Sequence, residues 1–204
     1  MGVSKQQAAE NRQAIIDVSE KLFRARGIDG VGLSALMKAA GFTQGGFYNH
    51  FASKEALAAE VVANAMAKAN SDLEMAIAVP VEPGTTRLRR QVDFYLSGTH
   101  CEDIEKGCAV AALASDVRRL GRDAQGHFAK GLDEMIDTLA ALIAEQQPEL
   151  DTEAAREHAI SFYCEMVGAL VLSRAVHDAD PILANAILEG GRKALLATTE
   201  TDSD

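Results

Sequence analysis

An all-helical fold is what this sequence predicts, and three observations predict it. Apolar residues recur at three- and four-residue steps through most of the chain. No stretch alternates with the two-residue period of a strand. Alanine is abundant, whereas 204 residues hold only four prolines and no tryptophan, so little interrupts helix propagation.

Taken in order, the punctuation divides the chain into nine helices. From about Ala9 to Arg26, Ile15, Ile16, Val18, Leu22 and Phe23 form one apolar face, and Gly27 is a C-cap candidate. After the turn "IDGVGL", Ser34 is the expected N-cap of a short helix, "ALMKAA", which Gly41 stops. Thr43 caps a third helix at 44–50. Ser53 caps a fourth, with Glu55 and Glu60 in its early turns, that runs to about Val79, where "PVEPG" breaks it. Five more helices are expected over 85–100, 107–120, 124–146, 152–178 and 182–198, and the acidic tail "TTETDSD" is expected to fray.

Bulk composition narrows the class. With 48 % hydrophobic and 25 % charged residues the chain reads as one or two globular domains. No apolar run approaches the ~20 residues of a membrane span, and "MGVSKQQAAENRQ" is too polar for a signal peptide. Gly2 after Met1 fits a myristoylation start only as an isolated match. These features point to a cytoplasmic protein with no membrane partner. Three cysteines, an odd count, suit a reducing compartment. The net charge of −10 is unevenly spread: residues 1–60 balance at +1 and residues 61–204 at −11. A near-neutral head on an acidic body is what a small DNA-contacting domain on a non-contacting one would show.

The stretch "GFTQGGFYNHF" carries the sharpest signal. Glycine costs about 1 kcal/mol relative to alanine inside a helix, yet Gly45 and Gly46 are adjacent in the third one. Helices two and three, joined at Gly41, have the spacing of a helix-turn-helix, whose second helix enters the DNA major groove. Two glycines would let that backbone approach base edges. A flexible loop or tight helix packing would also use them. Thr43 and Gln44 stand where side chains reach phosphates or base edges, and Tyr48 and His50 offer polar groups one turn on. Lys54 follows the Ser53 cap, where a phosphate would meet both the cation and helix amides. Phe47 and Phe51, four residues apart, are expected to be buried and to turn Tyr48 outward.

"KLFRARGIDGVGL" followed by "SALMKAAGFTQGGFYNHFASKEAL" closely resembles the DNA-binding region of TetR/AcrR-type transcriptional regulators, over about residues 10–57. The resemblance implies a nine-helix TetR-like fold with a helix-turn-helix domain at 1–55 and a ligand-binding and dimerisation domain at 56–204. It implies a homodimer on a palindromic double-stranded DNA operator, released by a small-molecule effector, and no cofactor. By position, Thr43, Gln44, Gly45, Tyr48, His50 and Lys54 match the DNA contacts of that family, and Ser34 matches a common phosphate contact. Gln44 and Asn49 stand where many relatives carry Lys or Arg, so base reading would lean on Gln44, for which adenine is a suitable partner.

The body is read physically. "PILANAILEGGRKALL" bears a stripe of small and apolar residues. Ala169 and Leu172 in the helix before it, with Ile187, Gly190, Gly191 and Ala194, are candidates for a dimer face. The same residues could instead complete one monomer's core. Phe94, Cys108, Phe128, Met135, Phe162, Tyr163 and Met166 are candidate lining of a pocket for an apolar or aromatic effector, each of them also a plausible core residue. In "HCEDIEKGC", Cys101 and Cys108 could form a redox switch, or with His100 and Glu102 a metal site, but the spacing matches no compact metal motif. No HExxH, GxSxG or phosphate-binding glycine loop occurs, so no metal-binding or catalytic residue is expected. A sensor acting through a protein partner is the alternative to a DNA-binding regulator.

Overall fold

A computed structural model describes residues 4–199. Among these every regular element is helical: α1 Lys5–Arg26, α2 Leu33–Ala39, α3 Gln44–Asn49, α4 Lys54–Ala78, α5 Arg87–Tyr95, α6 Gly98–Glu102, α7 Ala109–Val117, α8 Arg122–Gln146, α9 Thr152–Val176 and α10 Pro181–Thr199. The expectations for Gly2 and for the last residues of the acidic tail fall outside the described residues.

Local caps explain most boundaries. The Ser4 hydroxyl accepts from the Gln7 amide, Ser53 from Ala56 and Asp151 from Ala154, at 2.8–3.1 Å. Gly27 ends α1 at a φ of 72°, its N–H donating to Phe23 O, and Gly41 turns the chain after α2 at 82°. Both lie in the left-handed region that favours glycine.

Several boundaries differ from expectation: α1 begins at Lys5, capped by Ser4, and not at about Ala9, and the helix expected over 107–120 spans Ala109–Val117. The helix read at 85–100 is two helices, because Ser97 caps a fresh start: its hydroxyl accepts from the His100 amide at 3.2 Å. Helix α2 starts two residues early with Gly32 as its N-cap, so Ser34 lies inside it, exposed, with no capping role.

The chain divides into two compact units, residues up to 69 with 104–131, and residues 70–103 with 132 onward. In the first, Ile15, Phe23, Leu36, Met37, Phe47 and Leu57 are fully buried. A close helix approach occurs there at Gly131, where an added Cβ would lie 2.6 Å from the Cβ of Met66.

In the second unit, α9 and α10 form a tightly packed pair. A Cβ at Gly191 would lie 2.9 Å from the Cβ of Ala169, and the buried Ser173 hydroxyl donates to Ala184 O at 3.0 Å. Arg174 donates to His100 O and Cys101 O at 2.8 and 2.9 Å, satisfying carbonyls at the end of α6. Arg90 does the same for the end of α4 through Val79 O and Pro80 O.

Helix α9 is long and apolar enough to cross a membrane, although no such run was expected. It carries Arg156, Glu157, Glu165 and Arg174 and buries Ala159, Phe162, Met166 and Leu170 along one side, the pattern of a core helix.

Candidate nucleic-acid interface

The helix-turn-helix is built from the inside out. Leu36 and Met37 of α2 and Phe47 of α3 are fully buried, and Phe51 just beyond is 2 % exposed. The rings of Phe47 and Phe51 lie 5.6 Å apart, so the expected pair forms the anchor of this unit. At the Gly41 turn, Phe42 N–H donates to Met37 O at 2.8 Å.

With its apolar side fixed, α3 presents the opposite side outward. It is wound as a 3-10 helix, with Gly46 N–H donating to Thr43 O and His50 N–H to Phe47 O. Tyr48 is 69 % exposed, its ring edge-on to Phe47 at 5.3 Å. Thr43, Gln44, Gly45 and Asn49 are exposed beside it, as is Ser34 on α2. Thr43 is the N-cap of α3, but its hydroxyl makes no capping bond.

Neither glycine is required by the protein itself. A Cβ at Gly45 would have no heavy atom within 4 Å, and one at Gly46 would meet only the Thr43 hydroxyl, at 3.7 Å. Their φ angles are not positive, so the backbone is open to any residue. Nothing among the described residues calls for the absence of a side chain at either position.

His50 and Lys54 differ from the other five. His50 is half-buried; its carbonyl accepts from Arg12 Nε at 3.4 Å and its ring lies near Phe42 and Phe51. Lys54 donates from Nζ to Ile28 O at 2.6 Å, which ties the start of α4 to the turn between α1 and α2. Its ammonium therefore has a structural role besides any contact with phosphate.

Several supporting residues gave no local signal in the sequence. Arg12 ion-pairs with Glu60 and stacks over Phe51, 4.5 Å from the ring centre. Glu20 and Arg24 form a buried ion pair at 2.6 Å, to which Asn64 adds a hydrogen bond at 2.8 Å, and Arg24 also donates to Gly107 O. Asp116 accepts from Ile28 N–H at 2.7 Å.

The expected pocket residues fall in different places. Met135, Phe162, Tyr163 and Met166 are buried in the second unit, where Phe94 is 61 % exposed and stacks on His100 at 5.3 Å. Cys108 and Phe128 are half-buried in the first unit. Two clefts in that first unit, of about 450 and 520 Å³, are lined mostly by charged and small residues and include none of the seven. Of the dimer-face candidates, Leu172, Gly190 and Ala194 are exposed and Ile187 is half-buried, while Ala169 and Gly191 face each other within the chain. None of the three cysteines is in a disulfide: Cys101 is buried 3.3 Å from the Ser173 hydroxyl, and the Cys108 sulfur accepts from the Ala111 amide at the start of α7. Among the described residues no group of three His, Cys, Asp or Glu side chains is placed to hold a metal ion.

Comparison with known proteins bears on the same surface. Residues 15–61 match the family model for bacterial regulatory proteins, tetR family. The chain is 43 % identical to the HTH-type transcriptional regulator AcrR of Shigella flexneri over 58 residues, 28 % of this chain and 27 % of that one. Over 183 residues, 82 % of each chain, it is 26 % identical to the HTH-type transcriptional repressor BepR of Brucella suis. The Escherichia coli repressor NemR is 26 % identical over 142 residues, 68 % of this chain and 69 % of its own. The crystal structure of reduced E. coli NemR superposes with a TM-score of 0.77, at 20 % identity, covering 96 % of this chain and all of that one. A regulator from Chloroflexus aurantiacus gives 0.76 at 22 % identity, covering 94 % and 95 %.

Proposed function

We propose that this chain, whose residues 15–61 match the model for bacterial regulatory proteins of the tetR family and which resembles the repressor BepR over 82 % of its length, is a DNA-binding transcriptional regulator of that family and a cytoplasmic repressor. It binds a palindromic operator as a homodimer and is released by a small molecule. Residues 1–55 read DNA, and residues 56–204 bind the effector and pair the two copies. The observation that carries the reading is the exposed face of α3, where a side chain at Gly45 would meet no described residue and one at Gly46 only the Thr43 hydroxyl. Thr43, Gln44 and Tyr48 surround that gap and contact bases, with Ser34, His50 and Lys54 toward the phosphates.

Two copies would set their α3 helices in successive major grooves, ~34–36 Å apart. The exposed apolar residues of α9 and α10, Leu172 at 59 % and Ile182 at 83 %, support pairing through these helices. An apolar or aromatic effector bound by residues 56–204 moves the recognition helices off the groove spacing. Coupling of this kind is worth about 1–3 kcal/mol, a 5–150-fold change in affinity. Repression, not activation, follows the names of BepR and NemR.

The test is selection of genomic DNA fragments by the purified protein at two salt concentrations, beside Gln44→Ala/Tyr48→Ala. These two side chains are exposed, so the variant keeps its fold. Saturable, salt-sensitive binding to one palindromic fragment, lost in the variant, is expected. Absence of any preferred fragment at low salt would overturn the reading.

A further inference from the structure

Asp116 lies far from α3 in sequence, in helix α7, yet it is bonded to the turn that positions the helix-turn-helix. It is 7 % exposed. One carboxylate oxygen, Oδ2, accepts from Ile28 N–H at 2.7 Å, and the other is held by Arg119. Arg119 is itself held by Asp29 at 3.3 Å and by Ser115 O at 3.0 Å. On the other side of the Ile28 residue, its carbonyl accepts from Lys54 Nζ at 2.6 Å. The backbone of one buried residue, Ile28, is therefore clamped between α7 and the first residue of α4.

Gly27 makes the clamp possible. A Cβ there would lie 3.2 Å from Asp116 Oδ2, and the backbone at φ 72° is one that side chains rarely adopt. The α1–α2 turn thus has the shape that admits this carboxylate. A second tie lies nearby: Arg24, in the last turns of α1, donates to Gly107 O just before α7.

We infer that Asp116 is a positioning residue for DNA recognition, fixing through Ile28 the angle at which α2 and α3 leave α1. The inference rests on the DNA-binding reading above. It touches no nucleic acid and acts only through the turn. An unmade bond would leave a buried backbone N–H without a partner, which the turn can relieve only by shifting. Asn at this position retains an acceptor for Ile28 N–H; Ala does not.

The experiment measures binding of the fragment selected by the wild-type protein, and of unrelated duplex, by Asp116→Ala, Asp116→Asn and Arg119→Ala, with thermal unfolding of each. Asp116→Ala is expected to bind the selected fragment about tenfold more weakly, within the usual range of coupling between separated sites, while its affinity for unrelated duplex stays level. Asp116→Asn and Arg119→Ala are expected within about threefold of wild type, since both keep the Ile28 bond. Equal binding by Asp116→Ala, equal losses on both DNAs, or an Asn variant as weak as the Ala variant would each overturn the inference. If Asp116→Ala fails to fold, Gly27→Ala decides, since it keeps every polar group while its Cβ, 3.2 Å from Oδ2 on a backbone at φ 72°, disturbs the same turn; wild-type affinity in that variant overturns the inference too. A wild-type protein that selects no fragment at all would instead remove the DNA-binding reading on which this one rests.

Discussion

Replacing Gly45 with leucine should separate stability from DNA binding. A Cβ at this position has no neighbour within 4 Å and the backbone φ is not positive, so the side chain enters without clash or strain. Helix propensity then favours leucine over glycine by up to about 0.8 kcal/mol. For a protein of this size that corresponds to a rise of about 2–3 °C in the unfolding midpoint. On the proposed reading, the same side chain would occupy the space between α3 and the base edges. Losing the equivalent of one base pair's contacts costs about 1–3 kcal/mol per half-site, or roughly 2–6 kcal/mol over two, a loss of about thirtyfold at the least. Fluorescence anisotropy with a labelled operator and calorimetric unfolding read the two effects. Undiminished operator binding by Gly45→Leu would refute the argument that the glycines make room for DNA. A lowered midpoint would refute the claim that the protein does not need them.

Three further outcomes follow from packing and charge. Gly131→Val should destabilise by about 1–3 kcal/mol through overpacking, because its Cβ would lie 2.6 Å from that of Met66; combining it with Met66→Ala should recover part of the loss in urea unfolding. Arg24→Met leaves Glu20, itself 6 % exposed, as an uncompensated buried carboxylate and should cost about 3–5 kcal/mol, whereas Glu20→Leu/Arg24→Met should cost clearly less. Leu172→Glu/Ile182→Glu changes two exposed side chains and should alter unfolding of the single chain by no more than about 0.5 kcal/mol, yet shift sedimentation from dimer toward monomer.

How much the sequence disclosed depended on the range of the interaction. Gly27, Gly41 and Ser53 act on atoms three or four residues away, and each does what its type and position indicate. The Phe47–Phe51 pair is equally local and forms as expected. The break at Ser97 was hidden because apolar spacing continues across it, although Ser-Gly is itself a start signal. Lys54 reads as a free cation in sequence, since its partner Ile28 O is 26 residues away. The Asp116–Ile28 bond spans 88 residues and leaves no pattern at either end. Small residues were the hardest to assign. Ala169 and Gly191 look like members of an intermolecular stripe, yet they allow one helix of the chain to approach the next, while Gly190 beside them stays exposed. Smallness records a close approach without naming the partner.

Dimethyl sulfate protection of the operator most directly tests the claim that the face of α3 reads DNA in the major groove, where guanine N7 is exposed. Protection by the wild-type protein in two tracts centred about 10–10.5 base pairs apart, lost with Gly45→Leu, is the predicted result. Bound operator with guanine N7 left open in both tracts would contradict it.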